Sequence, residues 1–331
     1  MQGPDGNYST PAKASCVGTL GVPRRQAVVR NPAYGCLASD FTCAGNYIFS
    51  VYHDADYTTG TTSSITLAIH NAYSGALVSR TSIGSANDTN PRIVTIGSTV
   101  IAFFSRTTDD TVRAYIVNSS TLATSTATVV TAHTGRAFAF DVAPNDSSTC
   151  LFTYQNSAVQ MKWGTVSTAG VYSNKADQVI ANPVRLAVSL TSSGTVVVVW
   201  GEGAGFTAGD VNYKTDTIAG AAVTAKTTIG TGINGFPVVG SNSTYGWTAV
   251  WRVADSTMRF YSEGLGVADD VGFLVPVSKP FTGPHGECLV WTVSYGDSGQ
   301  LGTGVFGTYK LLDANPSALG TSAVAICEAV A

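Results

Sequence analysis

Arginine and aspartate side chains near the start of successive apolar segments are the residues of this sequence best suited to bind an anionic ligand. Arg92, Arg136 and Arg185 each lie near the start of such a segment. A guanidinium group binds a carboxylate through two parallel hydrogen bonds, which fixes the orientation of the ligand. Asp141 lies inside the apolar segment 136–144, where a charged side chain is unusual. These four are the candidate binding residues. The alternatives are solvent-exposed arginines and an aspartate that accepts hydrogen bonds from nearby backbone.

The other acidic residues give weaker evidence for catalysis. Glycoside hydrolysis needs two carboxyl groups held several ångströms apart across a sugar. The remaining candidates mostly follow a β-like segment in a polar turn, where aspartate is an ordinary residue: Asp54, Asp56, Asp109, Asp110, Glu202, Glu263, Glu287 and Asp297. We therefore predict no catalytic residues and lean against an enzyme. If the protein is an enzyme, it is a glycoside hydrolase.

Metal and cofactor sites are not predicted either. The histidines lie at unrelated positions and the six cysteines form no CxxC pair, so the spacing of a zinc site is absent. No cofactor is expected. The sequence favours free, mostly buried thiols, while Cys36 and Cys43 are close enough along the chain to bridge in an oxidising environment.

The composition narrows the class of partner. Charged residues make up only 12% of the 331 residues, the net charge is -3, and no cluster of lysine or arginine is present. Nucleic-acid binding is therefore disfavoured. No apolar run approaches the roughly 18 residues that cross a bilayer, so we expect a soluble protein with no membrane insertion. The first residues show no basic region followed by an apolar one, so no secretory signal is predicted.

A repeat of roughly 48 residues organises the chain. Short apolar strands recur, and each ends in an aromatic residue, here called the marker aromatic. Intervals of 40 to 52 residues separate the markers. They are Tyr52, Phe104, Tyr154, Trp200, Trp251 and Trp291. A glycine precedes most of these strands where a turn needs positive φ, at Gly45, Gly97, Gly194, Gly246 and Gly286. In the third copy a polar turn at residues 145–148 replaces it.

Each repeat contains four short strands and no space for a helix, so it predicts an antiparallel four-stranded meander. A single meander would expose both faces and both edges, whereas stacking six of them in a ring buries the faces. We therefore predict an all-β, single-domain β-propeller of six blades, with seven blades or a solenoid as alternatives. The predicted blades are residues 31–86, 87–135, 136–181, 182–232, 233–278 and 279–331.

Two segments compete to complete the sixth blade. Residues 24–30 resemble an outer strand that has no blade before it, and we predict that they close the last blade. The tail, residues 322–331, also has the pattern of an outer strand. It suits either a partial seventh blade or a chain that continues into a longer protein.

The arginines give the sequence a resemblance to sialidases, which are six-bladed propellers with an arginine cluster that binds the substrate carboxylate. That resemblance implies a binding role for Arg92, Arg136 and Arg185. The sequence departs from the family because the repeated S-x-D-x-G-x-x-T/W box is absent and the three arginines lie at different offsets from their markers.

The composition, rich in Ala, Thr, Ser, Gly and Val, resembles propeller modules of tailed-phage virion proteins, such as nozzles, hubs and spikes. That resemblance implies a non-catalytic structural or host-surface-binding module of a virion, with other particle subunits or a host glycan as partner. An extracellular bacterial surface domain is a third interpretation, and the main alternative is a carbohydrate-active propeller. It would be a lectin that uses aromatics such as Trp163, Trp247 and Tyr295, or a sialidase-like glycosidase.

Overall fold

The computed structural model contains six antiparallel sheets of four strands each. It describes residues 34–56, 62–72, 76–132, 140–156, 160–178, 183–202, 209–233, 237–242, 246–252, 258–263, 267–270, 277–282, 288–295, 305–312 and 324–327. Within each sheet the spatial order of the strands follows the chain, so every sheet is a meander. Across these described ranges, no helix is long and apolar enough to pass through a membrane.

The strand bounds follow in chain order. The first three sheets contain β1 Tyr34–Ala44, β2 Tyr47–Asp56, β3 Thr62–Asn71 and β4 Leu77–Ser82; β5 Asp88–Ile96, β6 Thr99–Arg106, β7 Thr111–Asn118 and β8 Thr128–Ala132; and β9 Phe140–Pro144, β10 Thr149–Gln155, β11 Met161–Ser167 and β12 Tyr172–Gln178. The last three contain β13 Pro183–Leu190, β14 Thr195–Glu202, β15 Gly209–Thr217 and β16 Thr227–Ile233; β17 Val238–Asn242, β18 Gly246–Arg252, β19 Met258–Ser262 and β20 Val267–Asp270; and β21 Val277–Thr282, β22 Cys288–Tyr295, β23 Val305–Leu312 and β24 Val324–Cys327.

In four of the sheets, the turn between the first two strands contains the glycine predicted from the sequence. Gly45, Gly97, Gly194 and Gly246 have φ of 57°, 57°, 80° and 77°, a conformation that side-chain-bearing residues rarely adopt. In the third sheet, the side chain of Asp146 stabilises this turn instead. Its Oδ1 accepts hydrogen bonds from the backbone N–H groups of Ser148 and Thr149, both at 2.7 Å.

Strand alternation gives each sheet two apolar faces. The marker aromatic faces the preceding sheet: Trp200 packs in one buried cluster with Trp163 and Leu151. The residue before the marker faces the following sheet, and Val199 accordingly packs with Trp247. Four buried clusters lie between consecutive sheets from the first to the fifth. The core is therefore built between sheets, which explains why the strands are apolar on both faces.

The first strands of the sheets surround a central axis. Contacts run from β1 to β5, β9, β13, β17 and β21 in turn, and β21 also contacts β1. Six four-stranded meanders arranged in a closed ring form a six-bladed β-propeller. The predicted fold is thus confirmed, and each sheet is called a blade below.

The fourth strand of the sixth blade is β24, which lies in the C-terminal tail and pairs with β23. Residues 24–30, which were predicted to close this blade, lie outside the described residues, and that role stays a prediction.

The cysteines differ from the expectation of free thiols. Cys150 is buried and is not part of a disulfide, as predicted, but Cys43 is disulfide-bonded. The partner of Cys43 cannot be Cys36, because both residues belong to the extended strand β1. Seven strand residues span about 20 Å, whereas a disulfide needs Cα atoms within about 7 Å of each other.

Candidate functional site

The predicted binding residues lie in the first strands, where two of them come together. Arg92 and Asp141 occupy corresponding positions in β5 and β9, each opposite the residue that precedes the marker aromatic. Arg92 Nε donates a hydrogen bond to Asp141 Oδ1 at 3.1 Å. Arg136 lies outside the described residues. Arg185 is in β13 at a register irregularity between Val184 and Leu186, and its side chain is not described.

Asp141 joins three blades. It is only 2% exposed, and its Oδ2 accepts a hydrogen bond from the backbone N–H of Val188 in the fourth blade at 2.9 Å. Asp40, at the same position in the first blade, accepts a hydrogen bond from the N–H of Ile93 in the second blade at 3.0 Å. Sequence analysis missed Asp40. A single aspartate within an otherwise apolar first strand is the signal that marks both residues.

These contacts have a structural explanation. A first strand has a neighbour in its own blade on one side only, so alternate N–H groups along its free edge lack a ladder partner. The carboxylates of Asp40 and Asp141 each bond one such N–H group in the following blade. The contacts of Arg92 and Asp141 therefore join blades, and their role in ligand binding stays a prediction.

The central channel contains a cavity of about 340 Å³. Small and apolar residues of β1, β5, β9, β13 and β17 form most of its wall, including Ile93, Val142 and Val188. Among the described residues that line it, Asp40 is the one ionisable residue, and its carboxylate is already hydrogen-bonded. Among the described residues no group of three or more His, Cys, Asp and Glu could hold a metal ion. The described part of the channel therefore has no catalytic arrangement.

At the junction between the fourth and fifth blades, half-buried aromatic side chains pack against the buried core. Tyr213 of β15 lies 4.6 Å, centroid to centroid, from Trp247 of β18 and 6.0 Å from Tyr261 of β19. Trp247 is fully buried and contacts both tyrosine rings, whereas the two tyrosines are partly exposed. We call the partly exposed edge of this junction the fourth–fifth groove.

Charged groups border these tyrosines. Residues two apart on a strand share a face, so Arg259 lies on the same face of β19 as Tyr261. Glu263 follows the end of β19, and its backbone N–H donates a hydrogen bond to the Trp247 carbonyl at 3.0 Å. Arg259 is half-buried and Glu263 is exposed. The pKa of Tyr261 is raised first by burial, and then by the nearby Tyr213 hydroxyl and the charge of Glu263. The groove therefore presents two phenol rings, a guanidinium and a carboxylate along one strip.

At the junction between the third and fourth blades, the residues at the equivalent positions are buried and bonded to one another. Trp163 occupies the position of Tyr213, since each pairs with the residue before its marker. The Trp163 indole donates a hydrogen bond to Asp216 Oδ2 at 2.7 Å, and Lys214 Nζ lies 2.9 Å from Asp216 Oδ1. All three side chains are buried. This junction is filled by its own residues, whereas the fourth–fifth groove has an accessible surface.

The aromatics that the sequence suggested for sugar stacking do not provide that surface. Trp163 and Trp247 are both 0% exposed and belong to the core between blades, and the side chain of Tyr295 is not described. Sequence analysis missed Tyr213 and Tyr261, because only the ring geometry brings strands of two blades together.

No family model matches this chain, and no curated protein sequence matches it. Solved structures do match. A variant of AofleA from Arthrobotrys oligospora with three arginine-to-alanine substitutions has a TM-score of 0.58 at 10% identity, over 90% of this chain and 88% of that chain. The fungal lectin from Aleuria aurantia, described as a six-bladed β-propeller with a novel mode of fucose recognition, has a TM-score of 0.58 at 10% identity, over 88% and 94%. Hydrazine synthase from Kuenenia stuttgartiensis has a TM-score of 0.53 at 10% identity, over 80% and 94%. At this identity the likeness is one of fold.

Proposed function

We propose that this protein is a carbohydrate-binding propeller of the lectin type, which holds a sugar in the fourth–fifth groove without cleaving it. The observation that carries the proposal is the strip of Arg259, Tyr261 and Glu263 facing the partly exposed ring of Tyr213. The Aleuria aurantia lectin, which shares the fold, supports a sugar ligand by analogy.

The chemistry of the strip suits a sugar. A pyranose has an apolar face that packs on an aromatic ring and a rim of hydroxyl groups. Tyrosine provides a large, rigid surface at low conformational-entropy cost. The Glu263 carboxylate accepts hydrogen bonds from hydroxyl groups, and the Arg259 guanidinium donates them. Tyr213 and Tyr261 pack against each other and both contact Trp247, with ring centroids 4.6 to 6.0 Å apart, which holds the rings in place before a ligand arrives.

The acids in the groove favour binding over hydrolysis. A glycoside hydrolase requires a pair of carboxyl groups flanking the bond that is cleaved. Among the described residues of the fourth–fifth groove, Glu263 is the one carboxylate on the exposed strip. The sialidase-like alternative has less support still, since Arg92 and Asp141 are hydrogen-bonded to each other.

The comparisons with solved structures do not support the virion role. None of the three structures named above is described as a virion protein. The virion module and its subunit partners therefore stay predictions from composition. We propose an extracellular setting, and the disulfide at Cys43 supports it, because disulfides persist in oxidising environments.

The test is a glycan array followed by calorimetry on the best ligand, with a fluorogenic glycosidase panel on the same sample. We expect binding without turnover. Tyr213→Ala and Glu263→Gln should each raise Kd at least tenfold, which corresponds to about 1.4 kcal/mol. Tyr213→Phe, which keeps the ring, should lose less affinity than Tyr213→Ala.

Tyr172→Ala is the matched control. Tyr172 is also half-buried and packs on Phe152 and Tyr154, but in the groove between the second and third blades. The affinity of the Tyr172→Ala variant for the ligand should equal that of the wild type. No binding on the array, turnover of a glycoside, or equal losses of affinity in the Tyr172 and Tyr213 variants would each contradict the proposal.

A further inference from the structure

Cys43 lies on the side of the first blade that faces the sixth blade. It pairs with Ile48, four residues before the marker Tyr52. Thr95 and Ser241 hold the same register position in the second and fifth blades. Both reach back to the preceding blade.

The contacts of those two residues locate the neighbour of Cys43. Thr95 Oγ1 lies 2.8 Å from Thr42 Oγ1 of the first blade, and Ser241 Oγ lies 3.3 Å from Ser189 Oγ of the fourth. Thr42 and Ser189 each pair with the residue three before the marker. Because β1 contacts β21, the blade that precedes Cys43 around the ring is the sixth.

In the sixth blade, a cysteine pairs with the residue that is equivalent to Thr42 and Ser189. Thr282 of β21 corresponds to Thr42 and Ser189, and its partner in β22 is Cys288, three residues before the marker Trp291. In the second and fourth blades the residues at the position of Cys288 are Ile101 and Val197. These residues pack in the clusters shared with the following blade.

The other described cysteines do not suit Cys43. Cys150 is free. Cys327 belongs to β24, the outer strand of the sixth blade, which is three strand spacings, or about 14 Å, from β21. That separation is twice what a disulfide spans between Cα atoms. Cys16 lies outside the described residues.

We propose that Cys43 and Cys288 form a disulfide that joins the first and sixth blades and closes the propeller ring covalently. Forming the bond removes two protons and two electrons from the two thiols. The electrons pass to an external disulfide, which is reduced to two thiols. The bond would hold together the one junction in the ring where consecutive blades are not linked by the chain.

Peptide mapping of the unreduced wild-type protein tests the pairing. After trypsin, Cys43 is in residues 31–80 and Cys288 in residues 260–310, since Lys279 precedes a proline. Cleavage before Asp40 then separates Cys43 from Cys36. We expect the two peptides to be linked and to separate on reduction. A link from Cys43 to residues 14–24, which contain Cys16, or to residues 311–331, which contain Cys327, would overturn the proposal.

Thermal unfolding provides a second readout. Cys43→Ser, Cys288→Ser and the double variant should show the same fall in melting temperature, about 5 °C, because each removes the same bond. Their melting temperatures should no longer respond to reductant. Cys150→Ser, the control, should keep that response. If the two single variants lower the melting temperature by different amounts and the double variant by their sum, the two cysteines are not bonded to each other and the pairing is contradicted.

Discussion

Buried charged residues in this protein are satisfied by specific partners. Four aspartates are buried among the described residues: Asp40, Asp88, Asp141 and Asp216. Each accepts hydrogen bonds or an ion pair from backbone N–H, arginine, lysine or tryptophan. Burial of an unpaired charge costs several kcal/mol, so these partners are required for folding. The buried histidine differs, because His70 Nε2 has no hydrogen-bond partner among the described residues.

His70 should make stability fall in mild acid. Burial lowers its pKa below 6.5 in the folded protein, so the unfolded chain takes up a proton first as the pH falls. The free energy of unfolding should therefore be constant above about pH 6.5 and decrease below it. His70→Leu should reduce the decrease between pH 7 and pH 5, measured as urea midpoints.

Asp109→Asn is the control for this prediction. Hydrogen bonds from Thr111 and Arg113 lower the pKa of Asp109 from its ordinary value, so this group does not titrate between pH 5 and pH 7. The variant should keep the pH profile of the wild type. An unchanged profile in His70→Leu would contradict the assignment to His70.

At the scale of elements, the first strand of each blade is the one whose free edge lines the channel. Such an edge leaves backbone donors without partners, and a propeller cannot cover it with another strand. Aspartates of the preceding blade bond two of these donors, those of Ile93 and Val188. Residues that look like a ligand cluster in the sequence therefore position β5, β9 and β13 relative to one another.

Asp141→Ala should destabilise the protein by about 3 kcal/mol or more, because it removes the buried carboxylate that accepts hydrogen bonds from Arg92 Nε and the Val188 N–H. Asp109→Ala, which removes an exposed ion pair with Arg113, should cost well under 1 kcal/mol. The measurement is the urea midpoint of each variant. If Asp141→Ala unfolds like the wild type but loses ligand binding, the channel-mouth binding role predicted from the sequence would stand.

At the scale of the whole molecule, stability depends on closing the ring between the first and sixth blades. The core lies between blades, so an open ring would expose two apolar faces. The contact between β21 and β1 closes it, and β24 supplies the fourth strand of the sixth blade.

Two deletions test which terminus completes the sixth blade. Removing residues 322–331 eliminates β24 and should lower the melting temperature by several degrees and broaden the transition. Removing residues 1–30 should also lower the melting temperature if residues 24–30 close the sixth blade, as their sequence predicts. A melting temperature that falls only on removal of residues 322–331 would contradict that prediction.

The sequence by itself determined the repeat, the four-stranded unit and the turns. Marker aromatics and turn glycines recur at blade spacing, and they act within a few residues of chain, so the pattern of Tyr52, Phe104 and their equivalents is readable without coordinates.

Only the tertiary structure decided which residues meet across blades. Arg92 and Asp141 are 49 residues apart and form an ion pair, and Tyr213 and Tyr261 share a groove although they lie in different blades. Those contacts depend on the register of strands in neighbouring sheets and on closure of the ring. Local periodicity encodes neither, because it specifies which face a side chain occupies and not which residue lies opposite.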